Sequence, residues 1–223
     1  MTALENLFRQ FEVPLWGIGH PGNIVEGARE YRCIAFCLPY ASAAVEALPD
    51  DELMNRCKSD LGQRAKAVYR AIARELSGCA FKMYDDVDRE LDLSERGISQ
   101  KVLGHLAGLG WIGRSSLLVT PEFGPRVRLA TIFTRDEIGP AAHPITGSCG
   151  ECIACAEACP AGAISKNAYY VNKCRKIVTY ARGEYKTFCG LCMQVCPVGI
   201  TGNRMRATRT TRTAETRRRQ APR

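Results

Sequence analysis

No stretch of this 223-residue chain approaches the ~20 consecutive apolar residues that a membrane-crossing helix needs. The opening, MTALENLFRQFEVP, has neither the basic flank nor the long apolar stretch of a secretory signal. These absences predict a chain with no membrane partner, working in the cytoplasm. Internal repeats are lacking too, apart from paired cysteine motifs. Net charge is scarce once it is located. Of the formal +8, residues 203–223 (NRMRATRTTRTAETRRRQAPR) supply eight Arg against one Glu, so the body of the chain carries only about +1. That excludes a broadly basic nucleic-acid-binding surface on the folded part. The tail has no aromatic residue for base stacking and is poor in apolar residues, which predicts a disordered segment, solvated or appended. Pairing with RNA phosphates is the alternative for it.

Cysteine, by contrast, is abundant. Of twelve, eight fall after residue 148, and Cys149, Cys152, Cys155 and Cys159, followed by Pro160, spell C-x2-C-x2-C-x3-C-P. In a reducing compartment such spacing means metal rather than disulfides. This is the bacterial ferredoxin spacing, in which three thiolates hold one corner of a four-iron cube and the fourth ligates a second cluster. The motif therefore demands a second group. Cys189, Cys192 and Cys196 before Pro197 supply it, with Cys174 standing alone between the two. The crossing rule assigns Cys149, Cys152, Cys155 and Cys196 to one [4Fe-4S] cluster, and Cys159, Cys174, Cys189 and Cys192 to the other. Structural zinc also uses paired CxxC motifs, but those do not usually close twice with a cysteine before proline. Cys33, Cys37, Cys57 and Cys79 lie on apolar faces and read as inert core thiols.

The rest of the chain divides into three parts. Residues 1–140 read as a mixed helix and strand domain. Within it, YRCIAFCLPY (31–40) has strand length, and Asp50 or Asp51 can cap a helix with the apolar stripe Leu53, Cys57, Leu61, Val68, Ile72 and Leu76, stopped by Gly78. AFKMY (80–84) is a second strand, and ISQKVLGHLAGLG (98–110) is a helix with a glycine stop. SLLVT (116–120) and VRLATIFT (127–134) flank PEFGPR, a turn composition that predicts a hairpin between them. DEIGPAAHPITGS (136–148) marks a boundary. Residues 141–202 form the cysteine module and 203–223 the tail, so the fold class is α+β.

LAGLGWIGRSSLLVTPEFGPRVRLATIFT (106–134), then CGECIACAEACPAGAI, the lone Cys174 and CGLCMQVCP, resemble the epoxyqueuosine reductase family and its shorter double-cluster relatives. The first 95 residues are similar only loosely, through GIGHPGN (17–23) and CIAFCLPY (33–40). The resemblance implies a nitroreductase-like α/β domain followed by a ferredoxin-like double-cluster module. It implies single electrons passed through two [4Fe-4S] clusters to a cofactor or substrate held by the α/β domain. In the full-length enzymes that cofactor is cobalamin and the substrate a modified tRNA base. A low-potential donor of the ferredoxin or flavodoxin type is then the expected electron source, and tRNA an expected partner. Gly110, Trp111, Ile112, Gly113, Arg114, Ser115 and Ser116 would line the cofactor face, with glycines permitting close approach and Arg114 meeting an anionic group. A helix stop leading into a core strand, with Trp111 as packing, is the plainer reading of the same segment.

Departures from the family pattern leave the catalytic acid unassigned. The family's proton-donating Asp falls on Ser94 in an ungapped match, with Asp85, Asp86, Asp88, Asp92 and Glu95 nearby. The chain also ends after the cluster module, short of the helical repeat region of the full-length enzymes. His105 reads as structural, and His20 and His143 as surface loop residues. Two rivals stay open: an electron-transfer protein without a catalytic centre of its own, and an RNA-binding protein with structural clusters.

Overall fold

The computed structural model describes residues 2–21, 30–49, 51–76, 79–80, 99–177, 180–181, 184–185 and 189–199. The α+β part comprises α1 (Ala3–Gln10), β1 (Leu15–Gly19), β2 (Arg32–Pro39), α2 (Ser42–Glu46), α3 (Asp51–Glu75), β3 (Cys79–Ala80), α4 (Gln100–Leu106), β4 (Trp111–Ile112), β5 (Leu118–Val119) and β6 (Val127–Thr134). The cysteine module follows, with α5 (Ala154–Glu157), α6 (Val171–Arg175), β7 (Tyr180–Ala181), β8 (Glu184–Tyr185) and α7 (Leu191–Gln194). None of the described helices is long and apolar enough to cross a membrane.

β1, β2, β6 and β3 lie side by side in that order, every pair antiparallel. The unbroken apolar run of β2 follows from helices on both faces of the sheet. Alternate side chains of a strand point to opposite faces. Ile34, Phe36 and Leu38 meet Leu4, Leu7 and Phe8 of α1 and Leu61, Val68 and Ile72 of α3 on one side. Cys33, Ala35 and Cys37 face the α4 side, against Leu103, Ala107, Leu109 and Leu118. Phe8 stacks on Trp16 at 4.7 Å and tilts against Phe36 at 5.7 Å. Fully burying a side chain of this kind stabilises by ~1.5–3 kcal/mol, so this face carries most of the apolar stabilisation.

Local signals agree with these elements. Thr2 and Glu5 form a reciprocal capping box at the start of α1. The long stripe of α3 is buried at Leu61, Val68 and Ile72, with Leu53, Cys57 and Leu76 packed partly against the core. α4 begins at the Ser99 cap and gives way to Gly108, whose φ of +70° turns the chain. Gly17 lies so close to the end of α4 that a Cβ would come within 2.1 Å of the Ala107 carbonyl oxygen. The GIG of GIGHPGN is therefore required by helix-on-sheet packing. Asp50, Gly78 and residues 81–84 lie outside the described residues.

The expected hairpin between 116–120 and 127–134 does not form. β5 pairs instead with β4, Trp111 opposite Val119 and Ile112 opposite Leu118. β6 has β2 along one whole edge, and β3 on the other at Phe133 and Thr134. The turn composition of PEFGPR is real but closes locally: Thr120 and Gly124 exchange backbone hydrogen bonds of 2.9 and 2.8 Å. The chain reaches the cysteine module from β6, through residues 136–148.

Candidate metal centres

Both short cysteine loops are built alike. Gly150 and Gly190 follow Cys149 and Cys189 with φ of +52° and +63°, a left-handed turn that lets the next cysteine fold back toward the first. α5 and α7 then present Cys155 and Cys192, one in each copy of the motif.

The thiols form two overlapping neighbourhoods, with Cys155 shared between them. Burial raises the Cys155 thiol above its ordinary range, and the nearby Cys149, Cys152 and Cys196 add to the rise. Cys196 is raised by burial as well, with Cys149 and Cys152 pushing the same way against the Val198 backbone N–H and Arg126. Cys192 is pushed up to about 12, first by burial, then by Cys189, Cys155, Cys174 and Cys159. Tyr169 joins this second group: burial, a hydrogen bond with Cys174 and the nearby Cys192 and Cys159 all raise its hydroxyl. Buried thiols crowded this way resist ionisation on their own, and a cationic iron centre among them is the chemistry that would make them thiolates. Two sulfurs accept backbone N–H bonds, Cys149 from Arg114 and Cys159 from Ala163, both at 3.3 Å. Among the described residues no three His, Cys, Asp or Glu side chains converge on one ion position. Cysteines of a four-iron cube bond separate irons, so convergence on one point is not what that site requires.

Two arginines of the α+β part grip the first neighbourhood. Arg114 donates from Nε to the Cys152 carbonyl at 3.0 Å and from Nη2 to the Gly150 carbonyl at 2.8 Å. The guanidinium expected to meet an anionic group is thus bound to carbonyls of the first cysteine loop. Arg126, 8% exposed, donates to the carbonyls of Val198 at 2.7 Å, Gln194 at 3.2 Å and Cys196. Burial lowers its pKa, and Cys196 opposes that shift. Gln194 completes the docking by donating to the carbonyls of Val45, Glu46 and Leu48 at 3.0–3.2 Å. Beside it, Met193 is buried against Val45, Leu48 and Met54. These anchors lay beyond sequence reading: Arg126 sat inside a stretch read only as a turn.

The segment proposed to face a cofactor is largely engaged by the fold. A Cβ on Gly110 would meet the Val119 carbonyl oxygen at 2.1 Å, and one on Gly113 would meet Val119 Cγ2 at 2.7 Å, so both glycines serve the packing of β5. His105 Nδ1 lies 2.8 Å from the Gly110 carbonyl oxygen, a structural role. Ser115 is buried. Ser116, at φ +59°, accepts from Lys101 Nζ at its carbonyl at 2.5 Å. Trp111 Nε1 is buried without a hydrogen-bond partner, and Ile112 is 41% exposed. Both nonetheless serve the fold, as Trp111 pairs with Val119 and packs its ring against Gly147, and Ile112 pairs with Leu118. Ser94 and the acidic residues from Asp85 to Glu95 lie outside the described residues, as does the tail. His143 is exposed. Cys33 and Cys37 are fully buried, with the Cys33 thiol pushed up to about 12 by burial, as inert core thiols should be.

The class that this module defines is found among known proteins: residues 148–200 match the family model described as "4Fe-4S dicluster domain". The resemblance to the epoxyqueuosine reductases extends over most of the chain. That of Bacillus anthracis is 28% identical over 193 residues, 80% of this chain and 50% of that protein. The chain thus spans about half the length of the curated relative it matches. Among solved structures, epoxyqueuosine reductase with a tRNA-Tyr epoxyqueuosine-modified tRNA stem loop superposes with a TM-score of 0.59 at 18% identity, covering 87% of this chain and 64% of that one. A reductive dehalogenase, whose structure is described as suggesting a mechanism for B12-dependent dehalogenation, gives 0.68 at 23% identity, with 97% and 33% covered. At these identities the structures show a common fold.

Proposed function

We propose that the chain is a cytoplasmic iron-sulfur oxidoreductase, related to epoxyqueuosine reductase, that passes single electrons through two [4Fe-4S] clusters to an acceptor on the α+β part. We read residues 1–140 as a nitroreductase-like domain and 141–202 as a ferredoxin-like module. Cys149, Cys152, Cys155 and Cys196 would hold one cluster, and Cys159, Cys174, Cys189 and Cys192 the other. When bound, such clusters exchange one electron at a time at potentials set by charge, hydrogen bonds and exposure. What supports the reading is that Cys196 neighbours Cys149 and Cys152, while Cys159 and Cys174 neighbour Cys192, with Cys155 next to both Cys196 and Cys192. Arg114 and Arg126 fasten the loops of the first set to the α+β part, and Gln194 and Met193 fasten α7, which carries Cys192 of the second.

The acceptor is the less specified half. Cobalamin is the candidate that the similarity to epoxyqueuosine reductases and reductive dehalogenases brings forward, and a tRNA base the candidate substrate. Because β5 fills the space beside Gly110 and Gly113, those glycines offer no cradle, and no step is assigned to a cofactor there. Anaerobic reconstitution with iron and sulfide tests the first half. Eight irons per chain and a broad cluster band are expected, and a count of four or fewer, or tightly held zinc, overturns it. Reconstitution with cobalamin or flavin tests the second. Retention of either supports a catalytic centre, and retention of neither, with reversible cluster reduction, favours the electron-carrier reading.

A further inference from the structure

Between Glu157 and Glu184 the sequence contains no acidic residue, yet it holds Lys166, Lys173, Arg175, Lys176 and Arg182. In the structure Lys173, Arg175 and Lys176 lie on α6, the short helix that carries Cys174, and its C-cap, while Lys166 pairs with Glu151 at 2.7 Å. Val171, Asn172, Lys173, Arg175, Lys176 and Ile177 are all exposed, and only Cys174 is half-buried between them. Three large apolar side chains stand in water around the same thiol, Tyr170 at 48%, Val171 at 44% and Ile177 at 36% exposed. Lys173 Nζ sits 4.9 Å from the centre of the Tyr170 ring, while among the described residues no carboxylate pairs with Lys173, Arg175 or Lys176. An apolar centre inside a rim of one charge is the anatomy of a transient protein interface, and it needs a partner of the opposite charge.

We propose that the exposed face of α6 is where a small acidic one-electron carrier of the flavodoxin class docks and delivers electrons through the Cys174 side of the module. The proposal rests on the two-cluster reading above and adds the entry point to it. Placement favours a protein carrier over RNA. Docking there sets a donor's redox group beside Cys174, a proposed ligand of the second cluster, rather than at the loops whose carbonyls Arg114 and Arg126 bind. An RNA substrate gains nothing from sitting on a cluster thiol. In the transfer, flavodoxin hydroquinone loses one electron and becomes the semiquinone, and one cluster goes from its 2+ to its 1+ state.

The test is stopped-flow reduction of the anaerobically reconstituted protein by flavodoxin hydroquinone, beside reduction by dithionite. The variant removes three charges together, Lys173→Gln, Arg175→Gln and Lys176→Gln. A control removes three exposed arginines from α3, Arg64→Gln, Arg70→Gln and Arg74→Gln, giving the same net charge. Steering charges raise association rates by ~10–1000-fold at low salt. The α6 variant should therefore react with flavodoxin at least about 10-fold more slowly and lose most of its salt dependence. Its dithionite rate and the control's flavodoxin rate should stay at wild type. Equal slowing in both triple variants, or an α6 variant as fast as wild type, overturns the docking site. So does unchanged flavodoxin kinetics with loss of binding to a tRNA stem loop, which assigns the face to RNA. If neither reductant bleaches the wild-type protein, the clusters are absent and the underlying reading falls with the proposal. Should the triple variant fail to hold clusters, Arg175→Glu alone supplies the same comparison with a larger charge change per site.

Discussion

The α+β part and the cysteine module use opposite means to hold a fold. The first buries Phe8, Ile34, Phe36, Leu38, Ile72 and Ile132 almost completely between helices and a four-stranded sheet. The module, with Ala163, Ile164 and Met193 as its buried apolar residues among those described, has no comparable core. What it has is eight closely set cysteines, and metal binding to an otherwise unformed site is itself folding free energy. The comparison assigns the two parts different dependences: apolar burial for one, iron for the other.

The largest effect that would test this contrast is removal of iron. Anaerobic chelation should bring amides across 149–177 to near-unfolded exchange rates while β2 and β6 keep their protection, read by hydrogen-exchange mass spectrometry. Retained protection in the module would show that it folds without metal. Next comes the reverse perturbation. Phe36→Ala, at a fully buried position between α1 and the sheet, should cost ~3–5 kcal/mol in denaturant unfolding. The cluster band of the variant should remain at wild-type intensity below its transition. Cluster loss in step with the destabilisation would mean that the parts do not fold on separate terms.

The same division explains what was legible in the sequence. Cysteine spacing is dictated by the geometry of a cluster and lies within short runs of residues, so the cluster motifs could be read directly from the chain. The β2 run and the α3 stripe were legible because burial on a regular element imprints a period. Strand pairing was not. SLLVT looked like the partner of VRLATIFT because a turn composition lies between them, whereas β6 pairs with strands far away in sequence. The docking anchors were hidden for a related reason. Arg126, Gln194 and Arg114 bind carbonyls, and a carbonyl has no residue type to mark it.

The third effect concerns the junction of the two parts. Arg126→Met leaves the carbonyls of Gln194, Cys196 and Val198 without their shared donor, and a stranded buried acceptor costs ~1–3 kcal/mol. The expected result is faster protease cleavage in the 136–148 connection with the sheet still intact. Arg126→Lys, which keeps the charge but loses the fork, should fall between wild type and Arg126→Met. Equal cleavage of all three would remove Arg126 from the docking contacts that matter.

The smallest effect lies in the core thiols, which contrast with the module's cysteines by needing no metal. Burial raises Cys33 from an ordinary 9.0 to about 12, against weaker help to the thiolate from the Gly19 and Cys33 backbone, and Cys37 moves the same way. A thiol whose folded pKa is raised favours the fold while protonated. That contribution is complete below about pH 9 and is lost as pH rises toward 12. Cys33→Ala should therefore cost only ~1 kcal/mol at pH 7, the loss of a small buried group. It should also make the decline of stability between pH 9 and 10.5 shallower than in wild type, in urea titrations at fixed pH. Parallel declines in the two proteins would mean that the Cys33 thiol ionises as readily in the folded chain as in the unfolded one, which a side chain sealed between β2 and α4 does not allow.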